Sequence, residues 1–332
     1  MNAKRVLSGM RPSGKLHIGH YVGALQNWVA LQNDDGYDNY HLIADYHALT
    51  TNLDTSNVEE DSIEMTIDWI AAGIDPEKSP IFRQSQIKQH AELYLIFGML
   101  VTANRLERNP TLKDQIRDLN IKQVVFGHLG YPALQAADIL LYKGECVPVG
   151  EDQVPHVEIT REIARRFNNH YGEVFPDPEP LLSRAPRLVG LDGDAKMSKS
   201  LNNTVLLSDP PETVEKKLRK AKTDPQKVRK GDPGRPDVCL IYSYQKVFNS
   251  DETEAIDADC RSGALGCADC KMRVAAKIND ELAPIIERRK ELEADREKVR
   301  RIVIDGEARA RETAEATMRE ARDGMKMGAL DV

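Results

Sequence analysis

Aromatic residues are scarce in this 332-residue chain, at 5%, and cysteines number only five. So few cysteines exclude a disulfide-stapled scaffold at this length. Positive charge is not in excess: 46 Lys and Arg face 53 Asp and Glu, a formal net charge of −7. An acidic chain is no general polyanion binder, so any nucleic-acid contact must come from a local basic patch. No apolar run approaches the roughly 18 residues that a membrane span needs. The opening Met1-Asn2-Ala3-Lys4-Arg5 leads straight into strand-like sequence and lacks the apolar core of a signal peptide, so the expected location is cytoplasmic. There is no internal repeat. What is present, 41% hydrophobic and 30% charged residues, is a helix-leaning globular composition with length for about two domains.

Strand and helix signals alternate through the first 170 residues. Val6-Leu7 forms a short strand ending at Ser8-Gly9; residues 40–44, 80–84 and 146–150 read as further strands. Helical spacing begins near His17 and recurs over 56–73, 89–105 and 121–142, the last with a break at Gly130-Tyr131-Pro132. A further helix starts near Asp152, with Val154, Val157, Ile163 and Phe167 on one face. Such alternation predicts an α/β fold, a Rossmann-like parallel sheet covered by helices. Asp177-Pro178-Glu179-Pro180 reads as a proline-broken connection and residues 190–195 as a glycine-rich loop. Beyond residue 210 strand signals almost vanish. The charge-dense helical stretch over 272–330, as in Glu287-Arg288-Arg289-Lys290-Glu291, reads as a solvated face. The expected division is an α/β domain over 1–199 and an all-helical domain over 200–332.

Two segments have the chemistry to handle phosphate. Ser8-Gly9-Met10-Arg11-Pro12-Ser13-Gly14 follows the first strand and leads through Lys15-Leu16 into His17-Ile18-Gly19-His20 at the start of a helix. The glycines let a ligand approach the backbone, and the helix start offers free N–H groups and the positive end of its dipole. His17 and His20, three apart, share one face of the first turn, and Gly19 leaves room above it. The second segment, Lys196-Met197-Ser198-Lys199-Ser200, concentrates two ammonium groups and two hydroxyls, suited to closing over a nucleotide and neutralising departing pyrophosphate. Either motif alone is commonplace; both in one chain, about 180 residues apart, are specific.

The pair resembles the signature sequences of class I aminoacyl-tRNA synthetases. Three further stretches narrow the resemblance to tryptophanyl-tRNA synthetases: Asp45-Tyr46-His47-Ala48-Leu49-Thr50, residues 130–142 from Gly130-Tyr131-Pro132 to Asp138 and Tyr142, and Val147-Pro148-Val149-Gly150-Glu151-Asp152-Gln153. The resemblance runs from Ser8 to about residue 328. It implies a Rossmann-like catalytic domain joined to a helical domain that reads the tRNA anticodon. It implies activation of L-tryptophan by ATP with Mg²⁺, transfer to tRNA(Trp), and a homodimer. By resemblance His17 and His20 contact the nucleotide, and Lys196 and Lys199 hold the pyrophosphate. Arg11, Pro12, Ser13, Gly19, Gly150, Glu151, Asp152 and Leu188 border ATP, together with Met197, Ser198 and Ser200. Asp138 accepts the indole N–H, with Tyr131, Gln135, His47 and Gln153 around the amino acid. Gln135 stands where many bacterial members carry methionine, and a Gln-x-x-Asp pairing also resembles the tyrosine-reading pair of tyrosyl-tRNA synthetases. Tyrosine is therefore the first competing substrate. Paired histidines at the first helix also occur in small-molecule nucleotidyltransferases, which have little need for a large helical second domain; a non-catalytic RNA-binding or redox-sensing relative would be favoured by a degenerate signature, and both signatures here are complete.

Cys239, Cys260, Cys267 and Cys270 form C-x20-C-x6-C-x2-C, a set suited to one tetrahedral Zn²⁺ or to an iron–sulfur cluster. Spacing alone does not separate the two. Asp232-Pro233-Gly234-Arg235-Pro236 and Gly266-Cys267-Ala268-Asp269-Cys270-Lys271 resemble a subgroup of tryptophanyl-tRNA synthetases that carries a [4Fe-4S] cluster. Cys146 stands apart as a small strand residue. Residues 211–230 hold eight basic against three acidic side chains, a surplus of five positive charges in a chain whose remainder carries −12. That contrast fits contact with an RNA backbone.

Overall fold

The structure, a computed structural model, describes residues 3–118, 120–182, 188–194 and 196–329; the side chains of Asp118 and Ser200 lie outside the description. Five strands make one parallel sheet: β1 (Lys4–Met10), β2 (Tyr37–Ile43), β3 (Ile81–Arg83), β4 (Cys146–Val149) and β5 (Glu179–Leu182). Their order is β3-β2-β1-β4-β5. The chain thus builds outward from β1 in one direction, then crosses back to lay β4 on its other side. The result is a Rossmann-like α/β fold.

Between strands run α1 (Ile18–His20), a π-helical turn (Tyr21–Leu25), α2 (Gln26–Gln32), α3 (Asp45–Leu49), α4 (Val58–Ala72) and α5 (Gln89–Gly98). They are followed by α6 (Ala103–Glu107), α7 (Pro110–Asp118), α8 (Phe126–Leu141) and α9 (Val154–Tyr171). The second half adds α10 (Pro211–Lys220), α11 (Leu240–Phe248), α12 (Thr253–Ser262), α13 (Cys267–Ala294) and α14 (Arg296–Gly324). None of the described helices is long and apolar enough to cross a membrane.

Consecutive strand residues feed opposite cores, as a sheet covered on both faces requires. Leu42 and Phe82 join one apolar cluster with α5, α8, α9 and α14; Ile43 and Ile81 join the other with α4, α10, α11 and α13. The C-terminal helices therefore close both faces of the sheet. The charge-dense stretch is not simply solvated. Arg289 of α13, 2% exposed, is paired with Asp68 and Glu64 of α4 and lies 3.0 Å from Glu293. Arg296 adds a 2.7 Å bond to Glu64. The other oxygen of Asp68 accepts the backbone N–H of Leu16 at 2.6 Å, next to His17.

Four further expectations need correction. β1 runs through Ser8 and Gly9 to Met10, because both stay in register with β2, Gly9 opposite Leu42. The helix expected over 89–105 breaks where Thr102 caps α6. Conversely, α8 passes unbroken through Gly130-Tyr131-Pro132. Gly130 is there for packing: a Cβ would collide with the Tyr94 hydroxyl of α5. Pro132 forfeits one helical hydrogen bond without ending the helix. Lastly, the proline-rich connection contains β5, with Pro180 opposite Val147. An edge strand tolerates a proline because its outer side pairs with nothing.

Gly306 of α14 lies so close to β3 that an added Cβ would overlap the carbonyl oxygen of Ile81. Gly306→Ala should lower the stability measured by urea unfolding by about 1–3 kcal/mol, since neither backbone can yield cheaply. An unchanged unfolding midpoint would show that α14 does not rest on the sheet as described.

Candidate active site

The sheet reverses direction of growth between β1 and β4, and in open α/β sheets ligands occupy the crevice beyond the carboxyl ends of the strands at that point. Two cavities, about 310 Å³ and about 410 Å³, adjoin there and share Gly9 and Met10 of β1 together with Gln135 and Gln153. The first is bounded by Arg11, His47, Tyr131 and Asp138; the second by Trp28, Gly150, Asp152 and Lys196.

The two distant signature segments pair with each other beside this crevice: Ser8 to Arg11 of the first and Lys196 of the second border the cavities, whereas His17, His20 and Lys199 line neither. Residues on either side of His17 pair with the chain that follows the lysine loop: Ile18 N–H donates to Val205 at 2.9 Å, and Leu207 N–H to Leu16 at 2.9 Å. Asn203, buried, holds the loop itself, accepting the Ser198 N–H at 2.7 Å and donating to Asp192 at 2.8 Å. Met197 is buried against the helix start, so that a Cβ at Gly19 would lie 3.3 Å from its sulfur and 3.0 Å from the His17 ring. The Lys199 ammonium donates to the Ser13 carbonyl. Burial lowers the Lys199 pKa, while Asp61 and Asp68 act against the shift.

His17 and His20 face each other with ring centroids 3.8 Å apart. Burial, then the charges of Lys196 and Lys199, pushes His17 down to about 4. Burial, His17 and the same lysines push His20 down to about 3. Both rings are thus neutral near pH 7 and offer N–H donors without carrying charge. Among the described residues His17 Nδ1 is buried without a hydrogen-bond partner.

Asp138 is 2% exposed on α8, and its carboxylate gathers three donors. Gln84 Nε2 and His90 Nδ1 each bond Oδ1 at 2.7 Å, and His47 Nε2 bonds Oδ2 at 2.8 Å. Burial would raise its pKa; the bonds and charges of His47 and His90 outweigh it and hold the carboxyl below the ordinary range. Tyr131 contributes a hydroxyl that contacts His156 and lies 3.2 Å from Gln115.

A sequence profile of class I tRNA synthetases for tryptophan and tyrosine matches residues 2–283. The tryptophan–tRNA ligase of Thermotoga maritima is 48% identical, over 97% of this chain and 99% of its own. The corresponding ligase of Aquifex aeolicus is 42% identical, over 97% of this chain and 100% of its own. The chain belongs to the tryptophanyl-tRNA synthetase family. Its fold also matches the crystal structure of the Campylobacter jejuni tryptophanyl-tRNA synthetase complexed with ADP and tryptophan, with a TM-score of 0.84 and 33% identity over 97% of this chain and 99% of that one.

In this synthetase the other expected positions fall as follows. Pro12 and Ser13 border a neighbouring hollow together with Arg11. Glu151 is exposed and lines neither main cavity. Leu188 is buried in the apolar cluster beneath the loop, beside Leu191 and Met197. Ala195 and the side chain of Ser200 lie outside the described residues. Gln84, His90, Asn109 and His156 complete the site, and no sequence pattern marks them; Tyr142, which bonds His90, ends the 130–142 stretch already singled out. Each of those four stands alone in its segment, and only the β3–α5 and α7–α9 packing brings it to Asp138 or Tyr131.

Among the described residues no group of three or more His, Cys, Asp or Glu side chains is gathered closely enough to chelate one metal ion. The four clustered cysteines do share a neighbourhood. Burial raises the Cys260 thiol, Lys227 opposes, and Cys239 and Cys267 raise it further. Burial and the other three thiols raise Cys270 to about 11, against a hydrogen bond from Gln245. A Cβ at Gly234 would lie 2.5 Å from the Cys260 sulfur.

Burial also holds His41 to about 3 and His156 to about 4. Unfolded, these four histidines titrate near 6.5, so the unfolded chain binds more protons between about pH 6.5 and about pH 4. Stability present above pH 6.5 is therefore lost as the pH falls through that window. Asp68, raised by burial to about 6 against Arg289, acts in the opposite sense, one group against four. The urea midpoint should drop between about pH 7 and about pH 4; a flat profile would contradict neutral imidazoles in the folded site.

Proposed function

We propose that this synthetase activates L-tryptophan with ATP, releasing pyrophosphate, and then transfers the tryptophanyl group to the 3′ end of tRNA(Trp). The observation that carries the reading is a buried carboxylate, Asp138, facing the cavity next to one bordered by the Lys196 loop. A carboxylate offers about four lone-pair positions. Gln84 and His90 fill two on Oδ1 and His47 one on Oδ2, which leaves one acceptor position for a ligand that donates a single hydrogen bond. Indole N–H is a donor only. An analogue without that donor would leave the acceptor buried and unpaired, which is how such sites discriminate. Tyr131, Gln135, His47 and Gln153 border the amino acid.

In the first step a substrate carboxylate oxygen bonds to the α-phosphorus while the bond to pyrophosphate breaks. Negative charge must be held throughout by donors already in place. We assign this to the neutral imidazoles of His17 and His20 and to Lys196 and Lys199, with the hydroxyls of Ser198 and Ser200 from the same segment of sequence. The room expected above Gly19 is taken by the His17 ring and the Met197 sulfur, so Gly19 serves the close packing of the two segments. Arg11, Pro12, Ser13, Gly150, Glu151, Asp152, Leu188 and Met197 shape the ATP side. Mg²⁺ accompanies ATP as part of the substrate.

Residues 200–332 supply the tRNA-reading part in this reading. Several charges of the basic stretch are paired internally: Lys217 with Asp209, Arg219 with Glu215, Lys222 with Asp194 and Lys230 with Asp269. The exposed Lys216, Lys220 and Arg229 are the phosphate contacts we assign. Two copies pair through an apolar patch formed by Leu95 of α5, Met99 just after it, Val124 and Val125 just before α8, and Phe126 at its start, all exposed. The work belongs to the cytoplasm, where tRNA is charged.

We propose further that Cys239, Cys260, Cys267 and Cys270 hold a [4Fe-4S] cluster rather than Zn²⁺. Support comes from their shared neighbourhood, the bare Gly234 against Cys260, and the Gln245 amide 3.4 Å from the Cys270 sulfur. A single zinc draws its sulfurs to about 2.3 Å from one point, whereas a cubane cluster spreads them. When bound, the cluster would cross-link α11, α12 and α13.

ATP–pyrophosphate exchange, run with each amino acid in turn, should respond to tryptophan alone. Exchange driven by tyrosine would transfer the assignment to the tyrosine branch. His17→Ala should cost ~2–4 kcal/mol of transition-state stabilisation in that assay, and full activity would remove His17 from the reaction. Protein purified without added metal should be brown, with broad absorbance near ~400 nm from sulfur-to-iron charge transfer. A colourless protein carrying one zinc per chain would refute the cluster.

A further inference from the structure

The Tyr131 hydroxyl, at the edge of the amino-acid cavity, contacts Nε2 of His156, a wholly buried side chain of α9. The two ring centroids are 4.8 Å apart, inclined at 65°. On the far side of the imidazole, Nδ1 lies 3.0 Å from Nδ2 of Asn109, also wholly buried.

Asn109 decides which imidazole nitrogen carries the proton. Its Oδ1 accepts the backbone N–H of Thr111 at 2.9 Å and that of Leu112 at 3.3 Å. Turned over, the amide would set its NH₂ group against two N–H donors in a dry interior, so its orientation is fixed. Nδ2 must therefore donate to His156 Nδ1, which has to be bare. Burial, with His47 second, holds this imidazole at about 4, neutral near pH 7. A neutral imidazole has one N–H, and here it must be Nε2–H, donating to the Tyr131 oxygen. The hydroxyl proton is then turned away from His156. Gln115 brings its amide within 3.2 Å of the same oxygen, yet an amide can present either end. The direction of the hydroxyl is consequently set by His156.

We propose that Asn109 and His156 are positioning residues for the amino-acid substrate: by fixing one imidazole tautomer they keep the Tyr131 hydroxyl proton on the cavity side, available to the polar head of the substrate. The opposite tautomer would draw that proton onto His156 and present a different hydrogen-bonding pattern to the ligand. The same segment is tied to the nucleotide side, since Thr111 Oγ1 donates to the Asp152 carbonyl at 2.6 Å. The inference rests on the amino-acid-activating reading of this cavity, while the tautomer itself can be measured without any substrate.

Asn109→Asp tests it with almost no change of shape. The aspartate still accepts the Thr111 and Leu112 N–H groups, but its second oxygen demands a proton from His156 Nδ1. Nitrogen-15 shifts of the His156 ring, recorded on the full chain without ligand, should show protonated Nε2 and bare Nδ1 in the parent and protonated Nδ1 in the variant. In ATP–pyrophosphate exchange the variant should raise KM for the activated amino acid by at least ~10-fold while leaving KM for ATP within ~2-fold. His156→Gln, whose amide can still donate to Tyr131, should recover most of that loss relative to His156→Leu. A parent ring protonated on Nδ1 overturns the proposal whatever the substrate proves to be. A reversed tautomer with unchanged amino-acid KM overturns the positioning role.

Discussion

Two backbone hydrogen bonds, one on each side of His17, hold the chemistry of this protein together. They bind the helix start after β1 to the strand-like segment after the lysine loop, between stretches about 180 residues apart in sequence. In the proposed function a triphosphate needs both stretches, because each supplies donors from one side only. Joined, they bring the paired imidazoles and two ammonium groups into one electrostatic neighbourhood before any ligand arrives. Donors fixed beforehand need not reorganise as charge develops, and that is the main way a protein lowers the barrier of phosphoryl chemistry. The neutrality of the imidazoles follows from the same closeness: burial and the lysines together make a third and fourth positive charge too expensive.

Asp138 presents the complementary case of a negative charge under the protein surface. An isolated carboxylate there would take up a proton, and a protonated acid could turn its hydroxyl to meet an acceptor. His47, His90 and Gln84 prevent this by supplying donors from three different segments. His90 is in turn braced by the Tyr142 hydroxyl at 2.8 Å, so the arrangement reaches the middle of the sheet-facing core. The state of this carboxylate therefore depends on packing that lies well outside the cavity wall.

Much of this was legible in the residues. The strand-helix alternation and the two signature segments have local patterns that could be read directly, whereas Asp138 stands out only through the resemblance of residues 130–142. What escaped had neither. Gln84, His90, Asn109 and His156 are single polar residues whose partners lie 25 to 54 positions away, and only the crossing of α8 and α9 over the sheet defines their company. Gly130-Tyr131-Pro132 misled for a related reason. Glycine and proline usually mark an interruption, but here glycine serves an approach between helices, a demand invisible along one strand of sequence. The dense charge of α13 misled likewise, since a salt-bridged arginine in the interior has the same letter as one in water.

The Arg289 network has a consequence for how this molecule is assembled and for where it can be cut. Asp68 is shared by an arginine from near the end of the chain and by the amide of Leu16 from near its beginning. A fragment ending after the lysine loop would leave that acid stranded, strip α14 from β3 and bare one apolar side of the sheet. Catalytic and helical portions are accordingly not separable modules carried on a tether. Helix α14 lies against β3 and α4, so the far part of the described chain braces the sheet that the first strand begins.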